Sequence, residues 1–257
     1  MDKFGFLDNI KLRISQHGIN SCRAIDQIGK HISELRKEFP SVFEDALGHC
    51  IKEKAHLELK GGVALPASAS TIQRDIFATL NGGQFFSQID LKDAYFQVEL
   101  DEDSKNLCGL STHKGNFAME RLPFGVKSAP SIFQSIMDKM LAGMNFATAY
   151  LDDIIVASRS FADHIQHLKD VFNRLQSYGF RVKMTKCSFF QEEIKYLGFV
   201  IDKNGRRPDA SKIKAITEMP APTNISTLRS FLGMKTAGRP AEEGRRMELG
   251  RKLPQSI

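Results

Sequence analysis

The sequence has no tryptophan, few cysteines and no apolar run long enough to cross a bilayer. The four cysteines lie far apart along the chain, at Cys22, Cys50, Cys108 and Cys187. That spacing excludes a cysteine-based zinc site and favours reduced thiols. The start of the chain lacks the apolar core of a signal peptide. We therefore expect an intracellular, cytoplasmic protein with no membrane partner.

Composition is ordinary for a globular protein, with 42% hydrophobic and 26% charged residues in a chain of 257. The formal net charge is +6, and the stretch from Asp202 to Lys252 holds 12 Lys or Arg against 6 Asp or Glu, so it accounts for the whole excess. This basic C-terminal stretch is compatible with binding to a phosphate backbone and equally with a solvated tail.

Two adjacent carboxylates, Asp152 and Asp153, lie inside the apolar run 146–157. Burial of neighbouring aspartates is costly unless cations compensate them. Short apolar segments on both sides predict a β-hairpin with the pair at its turn, and Asp90 ends another apolar strand, 85–89. Three carboxylates at strand ends, without nearby His or Cys, suit a hard cation such as Mg2+ and indicate two-metal phosphoryl transfer.

The periodicity predicts an α+β fold in which helices cover one face of an antiparallel sheet, in the split βαβ order. Helices are expected at 71–80, from Pro130 onward, and at 162–178 with Gly179 as the cap. Strands are expected at 85–90, 96–100, 116–122, 149–151, 154–156, 181–184 and 196–201, with tight turns at 93–95 and 202–205.

Histidines offer little evidence for a metal site. His164 and His167 are three residues apart on the second long helix, but no further ligands lie nearby, so a solvated helix edge is the expectation. The pair His49-Cys50 is likewise isolated.

Several ordered motifs resemble those of reverse transcriptases, with the closest likeness to the Pol polyproteins of gypsy-like long-terminal-repeat retrotransposons. The motifs are Phe86-Ser87-Gln88-Ile89-Asp90-Leu91-Lys92-Asp93-Ala94-Tyr95, Arg121-Leu122-Pro123-Phe124-Gly125-Val126-Lys127-Ser128-Ala129-Pro130, Tyr150-Leu151-Asp152-Asp153, Lys186-Cys187-Ser188-Phe189, Tyr196-Leu197-Gly198-Phe199 and Leu228-Arg229-Ser230-Phe231-Leu232-Gly233. The likeness is continuous from about Thr71 to Met234 and extends weakly back to Phe39.

The resemblance implies a right-hand polymerase with fingers, palm and thumb, acting as an RNA-directed DNA polymerase of an integrating retrotransposon. Asp90, Asp152 and Asp153 would form its catalytic and metal-binding triad, with the Leu91 carbonyl as a further ligand. Two Mg2+ ions, replaceable by Mn2+, would activate the primer 3′-hydroxyl and stabilise the leaving pyrophosphate. Its partners would be an RNA or DNA template with a primer and deoxynucleoside triphosphates; any dimer partner stays unknown.

The same resemblance implies a nucleotide-binding set and a primer-binding set. The backbone amides of Asp93, Ala94 and Tyr95 would cradle the triphosphate, and the Tyr95 ring would exclude a 2′-hydroxyl. Phe124 would line the nucleotide pocket. The primer end would be bound by three residues, Tyr150, Leu197 and Gly198.

The chain also departs from the family pattern. Only a small-residue linker at 61–70 replaces most of the fingers, and no Lys or Arg lies between Gly61 and Gln73, so triphosphate contacts of about 1.5–3 kcal/mol each would be lost. We expect an N-terminal segment at 1–60, a palm at 71–205 with residual fingers at about 101–128 and open strand edges, a truncated thumb at 206–234, and a disordered basic tail at 235–257.

Two other functions remain alternatives. The first is a catalytically inactive retroelement remnant that at most binds nucleic acid, which the fingers gap favours. The second is a nucleotide cyclase with a similar two-metal palm, which leaves the Leu122-Pro123-Phe124-Gly125 and Tyr196-Leu197-Gly198-Phe199 motifs unexplained.

Overall fold

The computed structural model describes residues 22–58 and 76–217, together with residues 225, 228 and 229. The chain divides into two compact units. One contains the residues up to Tyr196 and Val200–Arg206, and the other contains Leu197–Phe199 and the residues from Arg207 onward. The predicted linker at 61–70, the tail at 235–257 and about half of the predicted thumb lie outside the described residues, as does 1–21. The proposed domain boundaries therefore stay predictions.

The helices and strands are as follows. The α-helices are α1 (Cys22–Glu38), α2 (Glu102–Lys105), α3 (Ala129–Met140), α4 (Phe161–Tyr178) and α5 (Ala210–Thr217). The strands are β1 (Phe85–Asp90), β2 (Gly109–Thr112), β3 (Gly115–Ala118), β4 (Ala147–Tyr150), β5 (Asp153–Ser158), β6 (Ser188–Gln191), β7 (Glu193–Tyr196), β8 (Phe199–Asp202) and β9 (Gly205–Pro208). Short 3-10 helices lie at Ala94–Gln97 and Met184–Lys186.

The central sheet has the strand order β4-β5-β1-β6, and its pairings are antiparallel. Two helices, α3 and α4, connect β1 to β4 and β5 to β6, which is the predicted split βαβ order. The predicted α+β palm-like fold is confirmed. Two further sheets have the orders β2-β3 and β7-β8-β9.

Residues typical of helix ends lie at the start of α3 and at both ends of α4. Pro130 lies at the start of α3, where a missing N–H costs nothing. The Ser160 side chain accepts the Asp163 amide N–H at 3.1 Å and so caps α4. Gly179 ends α4 with a φ of 83°, and a Cβ at this position would lie 2.0 Å from the His49 carbonyl oxygen. Only glycine fits there without moving the backbone.

The two faces of the central sheet have different roles. Ile89, Ile154 and Val156 point toward the helices and join Phe133 and Phe172 in the main hydrophobic core. Side chains alternate between faces along a strand, so Asp90 and Asp153 point to the opposite face. The sheet thus separates the apolar core from the predicted catalytic carboxylates.

The predicted strand at 96–100 is wrong, because Ala94–Gln97 forms a 3-10 helix and only Glu99 and Leu100 make isolated bridges. The buried Gln97 side chain explains the difference. Its Nε2 donates to the carbonyl oxygens of Lys92 at 2.5 Å and Arg181 at 2.9 Å, and its Oε1 accepts the Arg181 N–H at 2.7 Å. These bonds stabilise a tight turn in a segment whose apolar alternation is typical of a strand.

Other strand predictions need new boundaries. The expected strand at 181–184 reduces to one bridge between Val182 and Leu91, and a 3-10 helix follows. The expected strand at 116–122 ends at Ala118. The expected strand at 196–201 is interrupted because Leu197 and Gly198 both have positive φ, at 49° and 84°. β2, β6 and β9 were not predicted, and β7 overlaps the expected strands only at Tyr196.

The expectation of a solvated helix edge is wrong for His164, which is fully buried. Its Nε2 lies 2.7 Å from the Ser87 Oγ and its Nδ1 lies 2.8 Å from the Ser158 Oγ. Burial lowers the pKa of His164 to about 3, so the ring is neutral. His167 is partly buried and lies 2.7 Å from the same Ser158 Oγ through its Nδ1.

The β2–β3 hairpin is the most exposed part of the first unit. All eight of its strand residues are exposed, including Leu110 and Phe117, which face each other across the pair. Among the described residues the hairpin has no third strand, in line with the predicted open edges. In the same residues, no helix has the length and apolar character that a bilayer span requires.

Candidate active site

Two of the predicted catalytic carboxylates face each other across the centre of the sheet. Asp90 ends β1, Asp153 begins β5, and the two are direct antiparallel partners. Paired Cβ atoms in an antiparallel sheet lie about 4.5–5.5 Å apart, so two like charges here repel each other. The pair is therefore costly to the folded state unless cations lie nearby.

The turn between β4 and β5 carries the third carboxylate. Leu151 adopts the left-handed conformation, with a φ of 56°, although it is not glycine. The next residue, Asp152, is exposed, and its carbonyl oxygen accepts the Leu91 N–H at 2.9 Å. This bond ties the turn to the end of β1, so all three aspartates lie at the same end of the sheet.

Lys186 forms an ion pair with Asp90, with 3.2 Å between its Nζ and the Asp90 Oδ2. Asp90 raises the pKa of Lys186, and Lys186 in turn acts to lower the pKa of Asp90. Even so, the pKa of Asp90 is raised from its ordinary value, because burial outweighs the ion pair and Asp152 adds like charge. One lysine thus only partly compensates this site.

The pKa of Asp153 is also raised, and its partner is the neutral Gln88 amide instead of a lysine. Burial raises the pKa of its carboxyl, and Asp152 and Asp90 raise it further. The Gln88 amide opposes this by donating from Nε2 to the Asp153 Oδ1 at 3.2 Å. The charge of Asp152 therefore acts to raise the pKa of both Asp90 and Asp153, and the negative charge of this site is poorly compensated.

Two buried side-chain atoms among the described residues have no hydrogen-bond partner, the Oδ1 of Asp90 and the Oη of Tyr196. Burial raises the pKa of Tyr196, and Asp153 raises it further. An unpaired buried polar atom costs about 1–3 kcal/mol. The first atom belongs to the aspartate cluster, formed by Asp90, Asp152 and Asp153, and the second is influenced by the charge of Asp153. The unpaired buried polar atoms of the described residues are therefore concentrated at this site.

The donor atoms of the aspartate cluster are of the type that a hard divalent cation binds. Its donors are carboxylate oxygens, one of them buried and unpaired, as Mg2+ prefers. Within residues 22–58 and 76–217, however, no three His, Cys, Asp or Glu side chains converge closely enough to hold a metal ion. The Lys186 ammonium instead pairs with the Asp90 Oδ2, and Asp152 is exposed.

The residues predicted to bind the nucleotide are brought together. The half-buried Tyr95 ring lies 5.0 Å from the Phe124 ring and 5.2 Å from the Phe133 ring, measured between centroids. Phe124 is 59% exposed, so an open aromatic surface lies beside the aspartates. Asp93 has a φ of 48° and begins the 3-10 helix that holds the buried Ala94. Burial raises the pKa of Tyr95, and Asp152 adds to the effect.

The predicted primer-binding residues lie in different units. Tyr150 ends β4 and is the direct partner of Asp153. Leu197 and Gly198 belong to the second unit, where the Gly198 carbonyl oxygen accepts the Asp209 N–H at 3.0 Å. A Cβ on Gly198 would lie 3.0 Å from the Lys212 Nζ.

Sequence reasoning missed four residues around the carboxylates. Gln88 and Lys186 bond to them, Gln134 holds their turn, and Tyr196 is influenced by the charge of Asp153. Gln88 lies two residues before Asp90 and so shares its face of β1, which is a usable signal. Lys186 and Tyr196 fall inside quoted motifs without an assigned role. Gln134 lies on a different element from the turn it holds, so only the tertiary structure reveals it.

The sequence of this chain is similar to those of several known proteins. The chain is 50% identical over 159 residues to the uncharacterized protein K02A2.6 of Caenorhabditis elegans, covering 62% of this chain and 12% of that protein. It is 38% identical over 161 residues to the retrovirus-related Pol polyprotein from transposon gypsy of Drosophila melanogaster, covering 62% of this chain and 16% of that protein. The chain thus spans a small part of these relatives.

A solved structure of the foamy viral protease-reverse transcriptase in complex with double-stranded DNA matches 90% of this chain and 51% of that chain. Its TM-score is 0.72 at 18% identity, which establishes a shared fold. The family model described as reverse transcriptase (RNA-dependent DNA polymerase) matches residues 20–201, well over half of the sequence. The chain therefore belongs to the reverse transcriptase family.

Proposed function

We propose that this chain is the polymerase part of a retrotransposon reverse transcriptase, an RNA-directed DNA polymerase that extends a primer 3′-hydroxyl. The observation that carries the proposal is the aspartate cluster. Asp90 and Asp153 are paired across two strands, Asp152 lies on the turn beside them, and the buried Asp90 Oδ1 has no partner. A fold uses such a costly arrangement where a cation completes it.

Asp90, Asp152 and Asp153, with the Leu91 carbonyl, are the residues that would hold two Mg2+ ions, or Mn2+ in their place. When bound, such ions lower the pKa of the primer hydroxyl and stabilise the leaving pyrophosphate. The carboxylates of this chain would orient the reacting groups, and Lys186 would move from Asp90 as the cations bind.

The aromatic residues beside the cluster would select the nucleotide. Tyr95 packs between Phe124 and Phe133, so its ring is held on two sides and can exclude a 2′-hydroxyl. The amides of Asp93, Ala94 and Tyr95 would receive the triphosphate at a left-handed turn, a shape that favours anions. Tyr150, Leu197 and Gly198 would contact the primer.

A primed template is the proposed macromolecular partner. Solved structures that share this fold hold double-stranded DNA in one case and an RNA/DNA hybrid in another. The proposed palm at 71–205 would bind such a duplex at the end of the sheet that carries the aspartates, since Phe86 and Ile155 further along the carboxylate face are fully buried. Residues 101–128, which include the exposed β2–β3 hairpin, would be the remaining fingers.

Primer extension on a defined RNA template, with Mg2+ and deoxynucleotides, tests the proposal. We expect extension by the wild-type chain and none by the Asp152→Asn/Asp153→Asn double variant. The variant keeps the size and most hydrogen-bonding capacity of both side chains, so we expect it to fold. Circular dichroism verifies this.

The rival function is an inactive remnant that binds nucleic acid at most. The ion pair of Lys186 with Asp90 and the lack of a converged metal-binding group among the described residues favour it. Folded wild-type protein that binds a primed template but extends it no better than the double variant would establish the remnant and refute the polymerase.

A further inference from the structure

Gln134 holds the turn that carries Asp152. It lies on α3, and its side chain bridges the backbone on both sides of Tyr150. The Gln134 Nε2 donates to the Ala149 carbonyl oxygen at 3.0 Å, and the Gln134 Oε1 accepts the Leu151 N–H at 2.8 Å. A single side chain thus forms both a donor and an acceptor bond across the turn.

Asp138 fixes the orientation of this amide. The Gln134 Nε2 also donates to the Asp138 Oδ1, one helical turn further along α3, at 2.8 Å. A flipped amide would place its oxygen against both the Asp138 carboxylate and the Ala149 carbonyl, which only accept. The three bonds use both Nε2 hydrogens and the oxygen, so no other orientation satisfies the surroundings.

The turn needs such support because its backbone is unfavourable. Leu151 is left-handed, which is uncommon for a branched, non-glycine residue and persists only where the surroundings enforce it. The second restraint is the Leu91 N–H, which donates to the Asp152 carbonyl oxygen. Gln134 on the helix side and Leu91 on the sheet side therefore hold the turn between them.

We propose that Gln134 is the positioning residue of the aspartate cluster. It makes no hydrogen bond to the three carboxylates of the cluster. It acts by enforcing the left-handed conformation of Leu151, which sets the position of Asp152 relative to Asp90 and Asp153. In this role it determines how tightly the cluster binds a divalent cation. The proposal rests on the proposed function only for that last step, because the restraint on the turn is independent of catalysis.

Hydrogen exchange of the Leu151 amide tests the restraint. Gln134→Met keeps the length of the side chain and removes all three hydrogen bonds, and we expect Leu151 to exchange roughly tenfold faster. The matched control is Gln166→Met, because Gln166 makes the same bond to an aspartate four residues later on α4, 2.9 Å to Asp170, without contacting any turn. Unchanged exchange at Leu151 in Gln134→Met would overturn the proposal.

Mn2+ alone, titrated by electron paramagnetic resonance, tests the consequence. Loss of a side chain that orients metal ligands lowers metal affinity by roughly 10–100-fold, and we expect that loss in Gln134→Met but not in Gln166→Met. Both variants lose one helix-surface pair, so a general loss of helix stability would affect them equally. Gln134→Ala, which creates no new contact, should repeat the result.

The outcomes separate the two proposals. If the wild-type chain binds no Mn2+, the two-metal function fails while the Leu151 exchange still decides the role of Gln134. If the wild-type chain and Gln134→Met bind Mn2+ equally, the positioning role fails and the proposed function stands.

Discussion

Strands β1 and β5 form one ladder whose two ends treat buried polar groups in opposite ways. At one end Asp90 faces Asp153, and the buried Asp90 Oδ1 has no partner. Toward the other end Ser87 and Ser158 point to the helices, and the buried His164 bonds to both. The same pair of strands is thus electrostatically frustrated at its carboxylate end and satisfied at its histidine end.

The polar groups at the histidine end can all be paired at once. In one arrangement that does so, the Phe190 N–H donates to the Ser87 Oγ, the Ser87 hydroxyl donates to the His164 Nε2, the His164 Nδ1–H donates to the Ser158 Oγ, and the Ser158 hydroxyl donates to the His167 Nδ1. No such assignment exists for the aspartates. The comparison indicates that the histidine end stabilises the fold, whereas the carboxylate end is, under the proposed function, the end that cations would complete.

The largest effect is expected at the carboxylate end of the ladder, from replacement of one of the paired aspartates. Asp153→Asn should lower primer extension by at least about a thousandfold, since it removes a predicted metal ligand. It should also raise the free energy of unfolding by about 1 kcal/mol, because one of two opposed like charges disappears. Urea unfolding and primer extension measure the two effects, with Asp103→Asn on the exposed face of α2 as the control. A destabilised Asp153→Asn would contradict the electrostatic argument.

The next largest effect, on the free energy of unfolding, is expected at the histidine end. His164→Leu leaves the buried hydroxyls of Ser87 and Ser158 without their shared partner, so the free energy of unfolding should fall by about 3 kcal/mol. Urea unfolding measures it, and His113→Gln, on the exposed hairpin turn, should change the value by less than about 0.5 kcal/mol. Equal stability of the two variants would mean that the network contributes nothing.

The pH dependence of stability sharpens the same contrast. His164 has a pKa of about 3 in the fold and 6.5 ordinarily, so the unfolded chain binds the extra proton. This contribution is complete above pH 6.5 and is lost as the pH falls, by up to about 1.4 kcal/mol per unit between 6.5 and 3. We expect thermal unfolding between pH 7.5 and 5 to show this slope in wild type and a shallower one in His164→Leu. Parallel slopes would contradict it.

The smallest expected effect concerns Lys186. Because this side chain is 55% exposed, Lys186→Ala should change the free energy of unfolding by less than about 0.5 kcal/mol. Removing the competing ammonium should nevertheless tighten Mn2+ binding a few-fold. Lys183→Ala is the control, since the Lys183 side chain acts on the Asp90 carboxylate only through space and the variant keeps the backbone bond from the Lys183 N–H to the Asp90 carbonyl oxygen. Weaker Mn2+ binding in Lys186→Ala alone would show that the lysine assists the cation instead of competing with it.

Much of the fold follows from local patterns. The helical stripes of α3 and α4, the Gly179 cap and the apolar strands on both sides of Asp152 predict the central sheet and its helices. The failure at 96–100 depends on a contact between residues that are distant in sequence. Gln97 bonds to the backbone of Arg181 and converts a strand-like pattern into a 3-10 helix.

The candidate site could be predicted only in part, because some of its residues are brought together by tertiary contacts alone. The aspartates lie on strand ends that the sequence reveals, whereas the ion pair of Lys186 and the bridge of Gln134 depend on tertiary contacts. His164 had a usable signal, because it lies four residues before Leu168 on the buried stripe of α4. Treating the two histidines as a pair concealed that only one of them shares the stripe.

The order of strands in the central sheet has a consequence for biosynthesis. β1 leaves the ribosome before either of its neighbours, because Asp90 pairs with Asp153 and Gln88 with Ser188, both far downstream. Its apolar side chains stay uncovered until α4 and β6 have been made. Such long-range pairings are typical of slow folding and of nascent chains that need protection from aggregation. The expressed yield of this protein should therefore depend on chaperone supply during translation.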